Sequence, residues 1–158
     1  YEAIHFVLRE ENSVVYLYKE EPVQSGIHMA SHIGLRNPMY CTGVGKAILA
    51  FLPEAEKRLI VENTVYEMFT PHTLHTPQAL LADLELIRNR GYAFDEEEHE
   101  LGISCIAAPI KNKQGIAYAA ISISAPTSRL EYEKKLLLAK KICVAAERIS
   151  ELLNGSRG

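Results

Sequence analysis

The chain has 158 residues, 47% hydrophobic and 23% charged, with 17 Lys plus Arg against 20 Asp plus Glu and a formal net charge of −3. This fits one globular domain with its own core and excludes a disordered or fibrous chain. The acidic balance argues against direct nucleic-acid binding, which needs clustered Lys and Arg, and no apolar run approaches the roughly 18 residues of a membrane span.

Residues 3–8 and 14–18 are rich in β-branched and aromatic side chains and predict two strands, joined through the polar stretch 9–13. A third extended piece is predicted over 24–33, before Gly34 and Pro38 break the pattern. Thr42 reads as the N-cap of a short helix over 43–51, Pro53 stops it, and a second short helix follows over 54–62. Residues 63–75 are irregular. Thr76 as cap, Pro77 in the first turn and Gly91 after Arg90 then bound a helix whose inner face is Leu80, Leu84 and Ile87.

A short strand follows Gly91, then the acidic run 95–100, expected as a solvated loop with Asp95 as the last inward residue. Residues 105–110 and 116–124 read as a hairpin around the loop 112–115, with Pro126 stopping its second strand. Residues 130–153 form a long helix with a broad apolar face. Strands, helices, strands and a helix make an α+β (mixed α/β) domain with a mainly antiparallel sheet.

Three separated cysteines, Cys41, Cys105 and Cys143, without a CxxC pair suit free thiols of a reducing, cytoplasmic setting. The chain opens on no signal-peptide pattern. The segment 43–47 (Gly-Val-Gly-Lys-Ala) is not a phosphate-binding loop, because position 40 is Tyr and position 47 is Ala. What survives is a Thr-capped helix start with small residues, where backbone N–H groups attract anions.

If the loop 112–115 joins the hairpin, Lys111 faces Ile116 and Cys105 sits opposite Ser122, with Ser124 on the same face. A wall of Cys and two Ser suits a small polar ligand, or is a half-exposed sheet face. Ile106, Ala108, Ile110, Ile121 and Ile123 point to the other, greasier side. The six histidines show no metal-ligand spacing, although His28 and His32 would share a strand face. An enzyme would use Cys105 as nucleophile with His99 or another histidine as base.

Three ordered motifs carry a resemblance across essentially the whole chain. They are Pro38-x-Tyr40-x-Thr42-x2-Gly45-Lys46-Ala47-x-Leu49-Ala50, then Asp95-x-Glu97-Glu98-x3-Gly102-x2-Cys105-x-Ala107-Ala108-Pro109, then 119–124 (Ala-Ala-Ile-Ser-Ile-Ser) with Arg129 after it. Together they resemble the effector-binding domain of IclR-type bacterial transcriptional regulators. The segment 36–40 resembles the branch that represses hexuronate and pectin breakdown genes.

The resemblance implies a GAF-like or profilin-like fold, a curved antiparallel sheet flanked by helices. It implies a single sensor domain over 1–158, with DNA contacted only through an N-terminal winged helix-turn-helix domain not found in this sequence. It implies homodimers or homotetramers, no cofactor, no membrane partner and no enzymatic activity. A small organic acid, a keto acid or sugar acid, would bind between the sheet and the loop–helix element. Carried over by position, Met29 and Asn37 would line that site and Gly43 and Val44 would donate backbone N–H groups. Asp95, Cys105, Ser122 and Ser124 would form its polar wall, with Asp95 accepting from a ligand hydroxyl. A cysteine-dependent enzyme and a pure oligomerisation domain are the alternative readings.

Overall fold

The computed structural model describes residues 2–23 and 29–155. Its elements are β1 (Ala3–Glu10), β2 (Ser13–Glu20), β3 (Arg36–Pro38), α1 (Gly43–Leu49), α2 (Glu54–Asn63), α3 (Pro77–Arg90), β4 (Ala93–Glu96), β5 (Ile103–Lys111), β6 (Ala117–Pro126) and α4 (Tyr132–Gly155), with one 3-10 turn before α4. The strands form one six-stranded sheet in the order β3-β2-β1-β6-β5-β4, every pair antiparallel. Among the described residues no helix is long and apolar enough to cross a membrane.

Period-two alternation gives each strand two faces. On β1, Ala3, His5 and Val7 are buried, and Val7 joins the core beneath α1. Phe6 and Leu8 pack instead with Ile106, Ile110, Ala139 and Ile142 in a second core beneath α4. The sheet is thus covered on both faces, so residues 106–110 of β5 are all buried and read as a continuous apolar run. The α+β, antiparallel expectation and the α1–α4 helices stand as read from the sequence. Thr42 caps α1, its hydroxyl accepting from the Gly45 amide at 3.2 Å, and Thr76 caps α3. Gly91 closes α3 in the left-handed region at φ 91°.

Three local expectations change. The third strand is not at 24–33: residues 24–28 lie outside the described residues, 29–33 are not strand, and the strand beside β2 is Arg36–Pro38. The first hairpin is tighter than 9–13, because Glu11 adopts φ 54° and only two residues turn the chain. The β5–β6 register differs by two from the expected pairing: Cys105 faces Ser124 and Ala107 faces Ser122. The loop is one residue longer than expected, since Lys111 pairs with Ala117, with the Asn112 side chain accepting from the Gln114 and Ile116 amides inside it, and a register shift between Ile110 and Lys111 adds the second residue. A shift of two preserves which residues share a face, so the Cys–Ser wall survives it.

Every residue of α1 is buried, and the helix packs on β5 and β6 over Ala107 and Ala120. Gly45 is required there, since a Cβ at this position would run into the Met39 Cα and carbonyl oxygen. A Cβ on Gly43 would meet only ordinary contacts at 3.5 Å, to Ala107, Asp95 and Cys105. Gly45→Ala should therefore lower unfolding free energy by about 1–3 kcal/mol or more through overpacking, while Gly43→Ala stays close to wild type. Urea unfolding of both variants checks this, and equal stabilities would contradict the close approach.

Candidate functional site

Beneath the N-terminal end of α1 lies a cavity of about 70 Å³. Its floor is the α1-facing side of the sheet, and each of the six strands contributes a polar side chain: Asn37 (β3), Tyr16 (β2), His5 (β1), Ser122 and Ser124 (β6), Cys105 (β5) and Asp95 (β4). The side walls are Thr42, Gly43 and Val44 on one side and Met29–Ser31 on another. All eight residues expected in a site, Met29, Asn37, Gly43, Val44, Asp95, Cys105, Ser122 and Ser124, line this one cavity.

The floor is a connected polar row. The Cys105 Sγ lies 2.9 Å from the Ser124 Oγ, and the Ser122 and Ser124 hydroxyls each lie 3.4 Å from His5 Nδ1. The His5 Nε2 is 2.8 Å from the Ser31 hydroxyl. The His5 ring meets Tyr16 edge-on at 5.3 Å, and Asn37 donates to the Tyr16 hydroxyl at 3.4 Å. Burial, then the nearby Lys19 ammonium, push His5 down to about 4, so the imidazole is neutral near pH 7. His5, Tyr16 and Ser31 are lining residues that the sequence reading missed, and His99, named there only as a base for Cys105, lines the cavity as well. The one signal for His5 was its place between Ala3 and Val7 on an inward face.

The acidic run is a solvated loop only in part. Asp95 is buried as expected and Glu96 and Glu100 are exposed, but Glu98 is buried as well, and the Asp95 Oδ1 accepts from the Glu98 amide at 2.7 Å. Glu97 takes φ 59°, and the hydroxyls of Thr70 and Thr73 donate to the carbonyls of Glu97 and Glu98, both at 2.6 Å. Behind the loop, Lys46 is fully buried. Its Nζ donates to Asp83 Oδ2 at 2.6 Å, to the Phe94 carbonyl at 2.8 Å and to Glu98 Oε2 at 2.9 Å. Burial alone would lower the Lys46 pKa, but the Glu98 and Asp83 carboxylates outweigh it and raise it. Asp95 is pushed up to about 7 by burial first and by the Glu98 charge second.

Burial, then the Asp95 charge, hold the Cys105 thiol far above its ordinary value, and its polar partner is Ser124. A thiol kept protonated is a poor nucleophile, so the geometry does not favour a cysteine-dependent reaction. His28 lies outside the described residues, and among the described ones no group of three His, Cys, Asp or Glu could hold a metal ion.

A short helix roofing a polar cavity on one face of an antiparallel sheet, with a long helix behind, defines a small-molecule-binding type of α+β domain. The chain belongs to the C-terminal domain family of bacterial IclR transcriptional regulators, whose model matches residues 1–151. It is 38% identical over 149 residues to the HTH-type transcriptional regulator KdgR of Escherichia coli K12, covering 94% of this chain and 56% of that protein. The chain thus spans about half the length of the relatives it matches.

The crystal structure of the Thermotoga maritima IclR superposes with a TM-score of 0.92 at 38% identity, over 96% of this chain and 61% of that one. The inducer-binding domain of a double mutant of PobR from Acinetobacter, in complex with 3-hydroxybenzoic acid, superposes with a TM-score of 0.84 at 26% identity, over 96% and 89%. KdgR is described as a transcriptional regulator and PobR as a transcription factor.

Two outcomes follow from the buried charges. Lys46→Met leaves the Asp83 and Glu98 carboxylates facing each other without a cation and should cost about 3–5 kcal/mol in urea unfolding. An unchanged midpoint would show that the ion pairs are immaterial to stability. The folded-state pKa of Asp95 is raised, so its contribution to stability is present at low pH and is lost as pH rises through about 7. Asp95→Asn keeps an oxygen acceptor for the Glu98 amide without this penalty. Its stability relative to wild type should increase between pH 5 and pH 8, and a constant difference would contradict the shift.

Proposed function

We propose that this chain is the sensor domain of a bacterial transcriptional repressor and that its effector is a small organic acid, a keto acid or a hydroxylated sugar acid. The observation that carries the reading is the convergence of Met29, Asn37, Gly43, Val44, Asp95, Cys105, Ser122 and Ser124 on one small polar cavity. In this reading the effector carboxylate rests against the Ser122 and Ser124 hydroxyls and the first-turn amides of Gly43 and Val44, which helix geometry leaves without intrahelical acceptors. Asn37, Tyr16 and His5 meet the remaining hydroxyls.

Support comes from the inducer-binding domain of PobR, a fold relative described in complex with a small hydroxy acid. The segment 36–40 favours a repressor of hexuronate and pectin breakdown genes, in the service of carbohydrate catabolism, and the likeness to the transcriptional repressor AllR, 38% identical over 152 residues, supports repression. The domain works in the cytoplasm as a homodimer or homotetramer. DNA is held by a winged helix-turn-helix domain elsewhere in the full protein, and no membrane partner and no cofactor take part. The effector acts by binding one arrangement of the oligomer better than the other, since a ligand shifts an equilibrium only by its differential affinity.

A thermal-shift screen tests the proposal with pyruvate, glyoxylate, hexuronates, aldonates, 2-keto-3-deoxy sugar acids and 3-hydroxybenzoate. Binding to the folded state alone raises Tm with ligand concentration. For any acid that does so, Ser122→Ala should weaken affinity by about 1 kcal/mol, the worth of one hydrogen bond. A flat response to every acid would sink the acid-sensor reading, and an unchanged affinity in the variant would take Ser122 out of the site.

A further inference from the structure

The cavity has an odd charge inventory for one that takes an acid. Its lining includes the acidic residues Asp95 and Glu100 and, among the described residues, no Lys or Arg. Residues 24–28, Gln-Ser-Gly-Ile-His, contain none either. The ammonium groups closest behind the lining are already matched. Lys46 lies between Asp83 and Glu98. Lys19 pairs with Glu21 at 2.6 Å and donates to the Ser31 and Met29 carbonyls at 2.6 and 3.4 Å. The two lining imidazoles of described residues, His5 and His99, are both held down by burial. An entering carboxylate therefore meets acidic side chains and neutral dipoles, with no Lys or Arg among the described lining residues to offset it. Carboxylates sharing one buried site do not both stay ionised, and one of them holds a proton.

Building on the acid-sensor reading above, we infer that the cavity selects acids with a single carboxylate and takes up the anion together with one proton, held on Asp95. Asp95 lies on β4 directly opposite Cys105, so it stands at one end of the polar row. The charged and titratable groups that face it are Glu96 and Glu98 of its own segment, Lys46 of α1, Cys105 of β5, and Cys41 and Tyr16. Without ligand its carboxyl already titrates at about 7, so a second carboxylate has only to hold in place a proton that is half bound at neutral pH. Protonated, Asp95 becomes a donor towards the anion, whereas the ionised group only accepts. A second anionic group on the ligand, a carboxylate or a phosphate, would need another proton or a cation that the lining does not supply. Dicarboxylates and phosphorylated sugar acids are excluded on that ground.

Isothermal titration calorimetry with paired probes tests this. Pyruvate is compared with oxaloacetate, D-gluconate with D-glucarate, D-galacturonate with D-galactarate, and 2-keto-3-deoxygluconate with its 6-phosphate. Each is run from pH 6 to 8.5, and at pH 8 in two buffers of different ionisation enthalpy. The expected result is a monoacid that binds with close to one proton taken up at pH 8. Its Kd should rise by up to about tenfold per pH unit above 7, and its dianionic counterpart should bind at least tenfold more weakly. Asp95→Asn should flatten the pH dependence, while His5→Gln should keep it; if the Asn variant does not fold, the wild-type proton count decides. Binding without proton uptake, a dianion bound as tightly, or a slope that vanishes in His5→Gln would overturn the inference and leave the acid sensor standing. Failure of every probe, monoacid and dianion alike, would overturn the acid sensor and this inference together.

Discussion

The Lys46 ammonium is the interaction on which the site depends. An ammonium taken from water costs several kcal/mol unless its hydrogens are matched, and here three acceptors match it: Asp83 on α3, Glu98 on the acidic loop and the carbonyl of Phe94 on β4. Each lies on a different element, so one charge ties α1 to α3 and to the strand that carries Asp95. Gly45, the residue before it, lets α1 press against the Met39 backbone, and Thr42, three residues back, caps the helix. The sequence Thr-Gly-Val-Gly-Lys is therefore a packing device. Its lysine points away from the cavity it helps to shape.

A second regularity is the separation of charge from polarity. The cavity floor consists of a thiol, hydroxyls, an amide and a neutral imidazole, with Asp95 as the buried exception. The charges that fix the surrounding elements are paired behind it, as Lys46 with Asp83 and Glu98, or beside it, as Lys19 with Glu21. Neutral dipoles in a small buried volume favour a ligand whose own groups complete their hydrogen bonds, because an unmatched polar group there is costly. The far face of the same strands is Ile and Ala packed on α4, so the alternation along β5 and β6 places chemistry on one side and adhesion on the other.

Much of this was legible from the chain alone. Caps, prolines and the left-handed Gly91 set the helices, and the alternation of Ser and Ile in 121–124 set the two faces of β6. Both are local signals. The register of β5 against β6 differs by two residues from the one the loop predicts, because Asn112 folds its side chain into a loop one residue longer and a bulge lies just before it at Ile110 and Lys111. Period two forgave an even error. The strand Arg36–Pro38 is only three residues long and ends on proline, too short for any pattern to declare it. Glu98 looked like one more solvated carboxylate because its burial requires Lys46, which is 52 positions away in sequence. His5 was passed over for a similar reason: an inward histidine on β1 has meaning only beside serines on β6, which are 117 and 119 positions away.

The polar row crosses the sheet at right angles to its strands, from β4 through β5, β6, β1 and β2 to β3. Along a strand the chain is covalent and stiff. From strand to strand the sheet is joined by hydrogen bonds spaced by roughly 4.8 Å, and its twist is the softer coordinate. A molecule that grips side chains from several strands at once acts as a stay across that soft direction. Occupancy of so small a cavity would then be felt as curvature of the whole sheet, and α4, lying along the opposite face, would register it as a change in the surface it presents.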